Sequence, residues 1–418
     1  MHDTIRTPAR RLANGLRATL HPTDPTARVL TWITGATAFG TGLFTAVSAL
    51  LFVRGIGLDP STVGYGLTVA GVVGVAASFY GGRLADRVGT RRTMVAALLV
   101  QGIMLCCYAL ATEIVGFVAI ACAVVGAQFA GFSTRQAVIA GAFTGPSRVQ
   151  VRARLRVVTN VAVGLGTGAA AIALTVDTVA AYRVAVVLAG LTTLVAVLPA
   201  RRLPRRGAPP AEDVARSPLR DRTYLTVTAL NAVMAMHMGL FAVGVPLWVT
   251  TATAAPPVVV AGLLALNTVL VVLLQVRAAR GTDDVLVAGR LVRRAGVAIA
   301  LGCGLFASAG PAGPLVATTV LLLATVVHTF GELWNEAGSW GLAFELADPA
   351  APGAYQGLSQ AGIAVGRMLA PLAVTATALE HGTAGWVALA LLFAVAGAAT
   401  AHLARRVARG GATGQAAH

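Results

Sequence analysis

At 418 residues, 56% of them hydrophobic and only 11% charged, with a mean hydropathy of +0.77, the chain has too few charges to coat a water-soluble protein of its length. Its net charge of +16 would suggest a nucleic-acid partner in a soluble protein, but the distribution of that charge excludes one. All 32 basic residues are arginine, and 28 of them fall in the N-terminal segment, in alternate loops and in the tail. Arg54 and Arg183 alone lie on the opposite side, and Arg135 and Arg367 lie inside apolar stretches. That asymmetry is the positive-inside pattern, which predicts a multi-pass protein of the cell (inner or plasma) membrane with both termini cytoplasmic and hence an even number of spans.

In chain order, residues 1–28 are basic and mildly amphipathic, without the apolar core of a signal peptide, and read as a cytoplasmic surface segment. Apolar blocks of about 20 residues follow, the length that crosses ~30 Å of hydrocarbon. The predicted spans are 29–53, 61–82, 93–112, 115–140, 155–176 and 180–199, then 223–249, 257–277, 293–309, 314–344, 355–379 and 384–404. Between the sixth and seventh lies 201–222, RRLPRRGAPPAEDVARSPLRDR, whose prolines and arginines read as a solvated cytoplasmic linker. It divides an N-terminal six-helix bundle, 29–200, from a C-terminal one, 223–404, with a cytoplasmic tail at 405–418. Corresponding spans stand about 200 residues apart, so the fold expected is an all-α membrane protein of about twelve transmembrane helices in two pseudo-symmetric bundles around a central pathway. Cys106, Cys107, Cys122 and Cys303 sit in apolar spans without metal spacing, and read as small buried hydrophobes. There is no HExxH pair, no phosphate-binding loop and no catalytic cluster, so neither an enzyme nor a cofactor or metal is expected.

The strongest local signal is Gly81-Gly82-Arg83-Leu84-Ala85-Asp86-Arg87-Val88-Gly89-Thr90-Arg91-Arg92, a tight charged turn between the second and third spans. Its one acid, Asp86, is suited to cap a helix start or to accept from a neighbouring arginine. The stretch resembles the G-x-x-x-D-R-x-G-R-R signature of the major facilitator superfamily, at the same loop. The resemblance covers nearly the whole chain, and implies that Gly82, Asp86, Arg87, Gly89 and Arg92 form a cytoplasmic gate between two bundles. The second-half counterpart, Arg277–Arg294, keeps the arginines without the glycine-aspartate spacing. A narrower likeness runs through Gly331-Glu332-Leu333, FELADPAAPGAYQGLSQAG and Leu369-Ala370-Pro371, which resemble the tenth and eleventh spans of bacterial multidrug and small-molecule exporters of actinobacterial type. Two positions depart from that branch: Cys122 stands where such exporters often carry an arginine, and Gly168-Ala169 where they carry glycine-proline.

Ionisable and amide groups inside a membrane are costly and mark functional candidates. The first half holds few, among them Gln128 and Asn160. In the tenth span, His328, Glu332, Asn335, Glu336 and Ser339 fall on one stripe about 100° wide, which is expected to face protein or a water-filled cavity rather than lipid. Arg367, in the eleventh span, is as far from the centre of the connecting hairpin as Glu332. The two are therefore expected at one depth, either as a static ion pair or as a pair broken by protonation or substrate. Asn231, His237 and Asn267 are further cavity candidates, while Trp248 and Trp386 are expected as interface anchors.

The resemblance implies a secondary transporter working by alternating access, a monomer in the lipid bilayer exporting a small organic molecule or drug against protons. The polar stripe of the tenth span points to Glu332 or Glu336 as the proton carrier, with Arg367 biasing its pKa or holding an anionic group. The alternative is an uptake carrier or uniporter of the same fold without proton coupling. The topology is checked with cysteines placed in the 201–222 linker, which are expected to resist membrane-impermeant thiol reagents in intact cells. Labelling from outside inverts the orientation.

Overall fold

In the computed structural model, residues 22–204 and 217–415 are described. Most of the predicted surface segment 1–28 and of the linker, with the last residues of the tail, lies outside them. The rest is helical almost throughout, as hydrocarbon demands of a backbone that must satisfy its own hydrogen bonds. The helices are α1 (Pro25–Gly55), α2 (Pro60–Val88), α3 (Thr90–Leu110), α4 (Ile114–Ala142), α5 (Pro146–Val176) and α6 (Val179–Ala200). They continue as α7 (Arg222–Ala252), α8 (Val259–Ala278), α9 (Val285–Ser308), α10 (Pro314–Glu345), α11 (Pro352–Val374) and α12 (Glu380–Gln415). Among the described residues, 11 continuous stretches are long and apolar enough to cross a membrane. The last of these is broken at Gly382, whose φ of +55° interrupts the helix, so α11 and α12 are separate spans and the total is twelve. The most apolar span, α8, is only 17% buried, the reverse of a soluble helix and what a lipid-facing one requires.

Helix starts follow the local sequence. Asp24 caps α1 by accepting from the Ala27 N–H at 2.7 Å, with Pro25 at the first helical position. Thr178, Asp221 and Asp284 cap α6, α7 and α9 in the same way. Helix α5 begins at Pro146 and α9 at Val285, eight or nine residues before the predicted apolar spans, because arginines end the hydrocarbon segment without ending the helix. At the opposite end, Asp177 turns the chain from α5 to α6 at φ +49°. Its carboxylate accepts from the Tyr182 hydroxyl and, at 2.8 Å, from Arg54, and these partners hold it below the usual carboxylate range.

Packing divides the chain into two compact units. One holds the chain up to Val73 together with Arg87–Gly131 and Arg154 to the end of α6; the other holds Gly74–Asp86, Phe132–Ala153 and α7–α12. The arginine-rich ends of α2, α4 and α5 thus belong with the second half of the sequence, for reasons given by the contacts of Ser78, Gly82 and Asp86 below. In the first unit, α1 packs on α5 and α6, α3 on α6, and α2 on α4, around Phe52, Tyr108 and Phe117, whose rings are 4.8–6.2 Å apart. In the second, α7 packs on α11 and α12, α9 on α12 and α10, and α8 on α10, around Met234, Ile299, Phe306, Trp386 and Phe393. The pairs repeat at the interval the sequence predicts. Trp248 and Trp386 are not interface anchors: both are buried in this core, their rings 5.6 Å apart and the Trp248 Nε1–H donating to the Phe306 carbonyl at 2.8 Å.

Close helix pairs meet at small residues, because lipid gives helices no hydrophobic reason to associate and tight backbone contact must supply it. At Gly42 a methyl group would strike the Val163 carbonyl and approach the Thr167 N–H to 2.9 Å. Gly42→Ala is expected to destabilise the detergent-solubilised protein by about 1–3 kcal/mol through overpacking. Gly168→Ala, which meets nothing within 4 Å, is expected to leave the melting temperature unchanged or slightly raised.

Candidate functional site

Two groups of predicted residues are brought together, both within the second unit. The first lies at the arginine-rich end. Helix α11 starts at Pro352 behind Ala351, which has no side chain able to cap it. The missing acceptor comes from α2: Asp86 takes the Gly353 N–H on Oδ1 at 2.8 Å and the Ala354 N–H on Oδ2 at 2.7 Å. A carboxylate here also meets the positive end of the helix dipole. The approach requires glycine on both sides, since a methyl at Gly82 would run into the Gly353 carbonyl, and one at Gly357 would lie 2.8 Å from the Ser78 carbonyl. Ser78 continues the contact, 2.8 Å from Ser133 on α4 and 3.4 Å from the Gly357 carbonyl. Gly89, at φ +101°, makes the sharp turn into α3, and Arg87 and Arg92 are exposed.

Around this contact stand residues that sequence reasoning missed. The Arg152 guanidinium, counted among the loop arginines, is buried 4.7 Å over the Trp340 ring and 5.8 Å from that of Phe344. Arg148, one turn earlier on α5, lies 3.6 Å from Glu345. The Tyr224 hydroxyl reaches the carbonyls of Ala343 and Tyr355, and the Tyr355 hydroxyl donates to Asp221 at 3.2 Å. The four-residue spacings of Arg148 with Arg152 and of Trp340 with Phe344 were visible in the sequence; that α5 continues as helix through the arginines was not.

The second group lies halfway along α10. Asn267 on α8 donates from Nδ2 to Glu332 Oε2 at 2.8 Å and to Thr329 at 3.0 Å. One turn away, His328 stacks on Phe241 at 4.9 Å and 15°, with the His237 ring 5.3 Å off. His328, Glu332, Asn335 and Ser339 are all buried and Ser339 donates to Asn335, so the stripe faces protein as expected. Glu336 is half-buried and Arg367 exposed. Helix α10 packs mainly on α9 and α8 and more lightly on α11, α11 packs mainly on α7, and Asn267 is one of the groups that Glu332 meets. Asn231 is half-buried on α7, while Gln128 and Asn160 are half-buried in the other unit. Among the described residues no three histidine, cysteine or acidic side chains are grouped so as to hold a metal ion.

Twelve spans in a repeated pairing, a carboxylate-capped glycine contact and buried polar groups in mid-span define a multi-pass helical membrane protein built on a repeated plan. The family model of the major facilitator superfamily matches residues 30–371, and the chain belongs to that superfamily. No curated protein matches the sequence. The fold is shared with the human organic anion transporter MFSD10 (TETRAN), at 14% identity and a TM-score of 0.69 over 92% of this chain and 100% of that one. It is also shared with the proton:xylose symporter XylE bound to 6-bromo-6-deoxy-D-glucose, at 12% identity and a TM-score of 0.67 over 89% and 94%.

Asp86→Ala removes both acceptors at the start of α11. It is expected to cost about 0.5–2 kcal/mol of stability, read as a lower melting temperature, and Ala351→Asp, which supplies a local cap, is expected to recover part of it.

Proposed function

We propose that this secondary transporter exports a small organic molecule in exchange for protons, as a monomer with its arginine-rich face in the cytoplasm. The observation that carries the proposal is Glu332, a carboxylate 8% exposed at mid-span that accepts from the Asn267 amide. Burial disfavours a charge, so such a group takes up and gives up a proton according to what water and ligands reach it. Asn267 suits both states, since its amide donates to the carboxylate and its carbonyl accepts from the acid. Arg367, exposed on α11, and His328, Asn335 and Glu336 on α10 are the other groups proposed to meet protons or cargo.

The gate is proposed to be the contact of Asp86 and Gly82 with α11, with Arg87, Gly89 and Arg92 completing the turn. It joins the second span to the eleventh by backbone approach and two charged hydrogen bonds, all of which water replaces when the helices part. Carriage without proton coupling is the second reading, favoured by Cys122 and Ala169 at positions where similar exporters carry arginine and proline.

The two readings separate in proteoliposomes. A panel of small organic molecules is screened by counterflow, and a molecule that exchanges is then offered with an imposed pH gradient. Proton-coupled export predicts accumulation against its gradient, lost in Glu332→Gln while exchange persists. Accumulation by Glu332→Gln equal to that of the unaltered protein removes Glu332 from coupling, and exchange that no pH gradient drives selects the second reading.

A further inference from the structure

Away from the polar groups above, a groove of about 270 Å³ opens between the arginine-rich ends of α1 and α6, wholly within the first unit. Its sides are Trp32 and Ala36, one helical turn apart on α1, facing Val195, Leu198 and Pro199 at the end of α6, and Arg202 closes it. The mouth is open, Trp32 and Leu198 each being 65% exposed. Arg28 stands one turn beyond Trp32 on the same face of α1, so the sequence of side chains along the groove runs from aliphatic through indole to guanidinium. Arg28, Arg201 and Arg202 are exposed, and among the described residues none has a carboxylate partner; Arg28 donates only to the Thr23 carbonyl, at 3.3 Å.

An apolar trough ending in cations without carboxylate partners is complementary to an amphiphile with an anionic head. A free anion has no use for the aliphatic walls, and a zwitterionic or neutral lipid gains little from the arginines. We propose that this groove binds an anionic phospholipid, one acyl chain lying along Ala36, Trp32 and Leu198 and the phosphate meeting Arg202 and Arg28. The indole sits where tryptophan is favoured, between chain and head group. The arginine fork presents paired N–H donors to phosphate oxygens. The site does not depend on the proposed direction of transport or on proton coupling.

The test uses the full-length protein in detergent micelles, with lipid retention read by native mass spectrometry. Phosphatidylglycerol and phosphatidylcholine of the same acyl chains are compared, with inorganic phosphate as the bare-anion arm. Phosphatidylglycerol is expected to be retained over phosphatidylcholine. Arg202→Gln is expected to cut its retention about fivefold, the effect of one arginine at an anionic head group. Arg183→Gln, which removes the same charge at the other end of α6, is expected to change nothing. Ala36→Phe fills the trough with every arginine in place and is expected to lower phosphatidylglycerol retention as well. Equal retention of the two lipids, equal effects of Arg202→Gln and Arg183→Gln, or unchanged retention in Ala36→Phe overturns the proposal. So does displacement of phosphatidylglycerol by inorganic phosphate at equal concentration, which would make the site one for a bare anion. Melting curves of each variant separate loss of the site from loss of the fold.

Discussion

A peptide group surrounded by hydrocarbon has no water to bond with, and most of this structure follows from that. Helix interiors satisfy the demand internally, but each helix start exposes donors that need an acceptor. The chain meets four of them locally, with Asp24, Thr178, Asp221 and Asp284. At α11 the acceptor is Asp86, 267 residues away in sequence. A requirement of secondary structure thereby becomes a tertiary contact, and the open hydrogen-bonding capacity of one helix end ties together segments from both halves of the sequence.

The same scarcity of water governs polar side chains. Glu332 is tolerable in mid-span because Asn267 stands opposite, and Arg152 because the faces of Trp340 and Phe344 replace part of its hydration. Helix pairs draw on backbone proximity, which is why glycine and alanine mark the α1–α5 and α7–α11 contacts: Gly42 lies against Val163 and Gly366 against Ala232. That the corresponding helices pair in both halves follows from one supersecondary plan repeated along the chain.

The number and order of spans were legible because hydrocarbon imposes a length on apolar blocks, and the glycine-aspartate turn was legible because its spacing is unusual. Helix ends were not, at α5 and α9, since arginine is a good helix former and hydropathy stops where the helix does not. The bond from Asn267 to Glu332 was not legible for a different reason. Chain distance from a hairpin fixes depth, but it does not say which other helices stand beside a group, and here α8 also supplies a partner. Trp248 and Trp386 had the right depth for interface anchors, yet depth leaves open the direction in which a ring points, and both turn inward.

The continuation of α5 and α9 through their arginines has a mechanical consequence. Arg148, Arg152, Arg154 and Arg156 are fixed to a rigid rod that is continuous with the apolar span, as are Arg290, Arg293 and Arg294 on α9. Sliding such a rod along its own axis would draw guanidinium groups into hydrocarbon in one direction and aliphatic side chains into water in the other. Tilting or swivelling keeps each group near its own level. These two helices are therefore held at a fixed height in the bilayer, and the motions left to them are rotations rather than strokes of a piston.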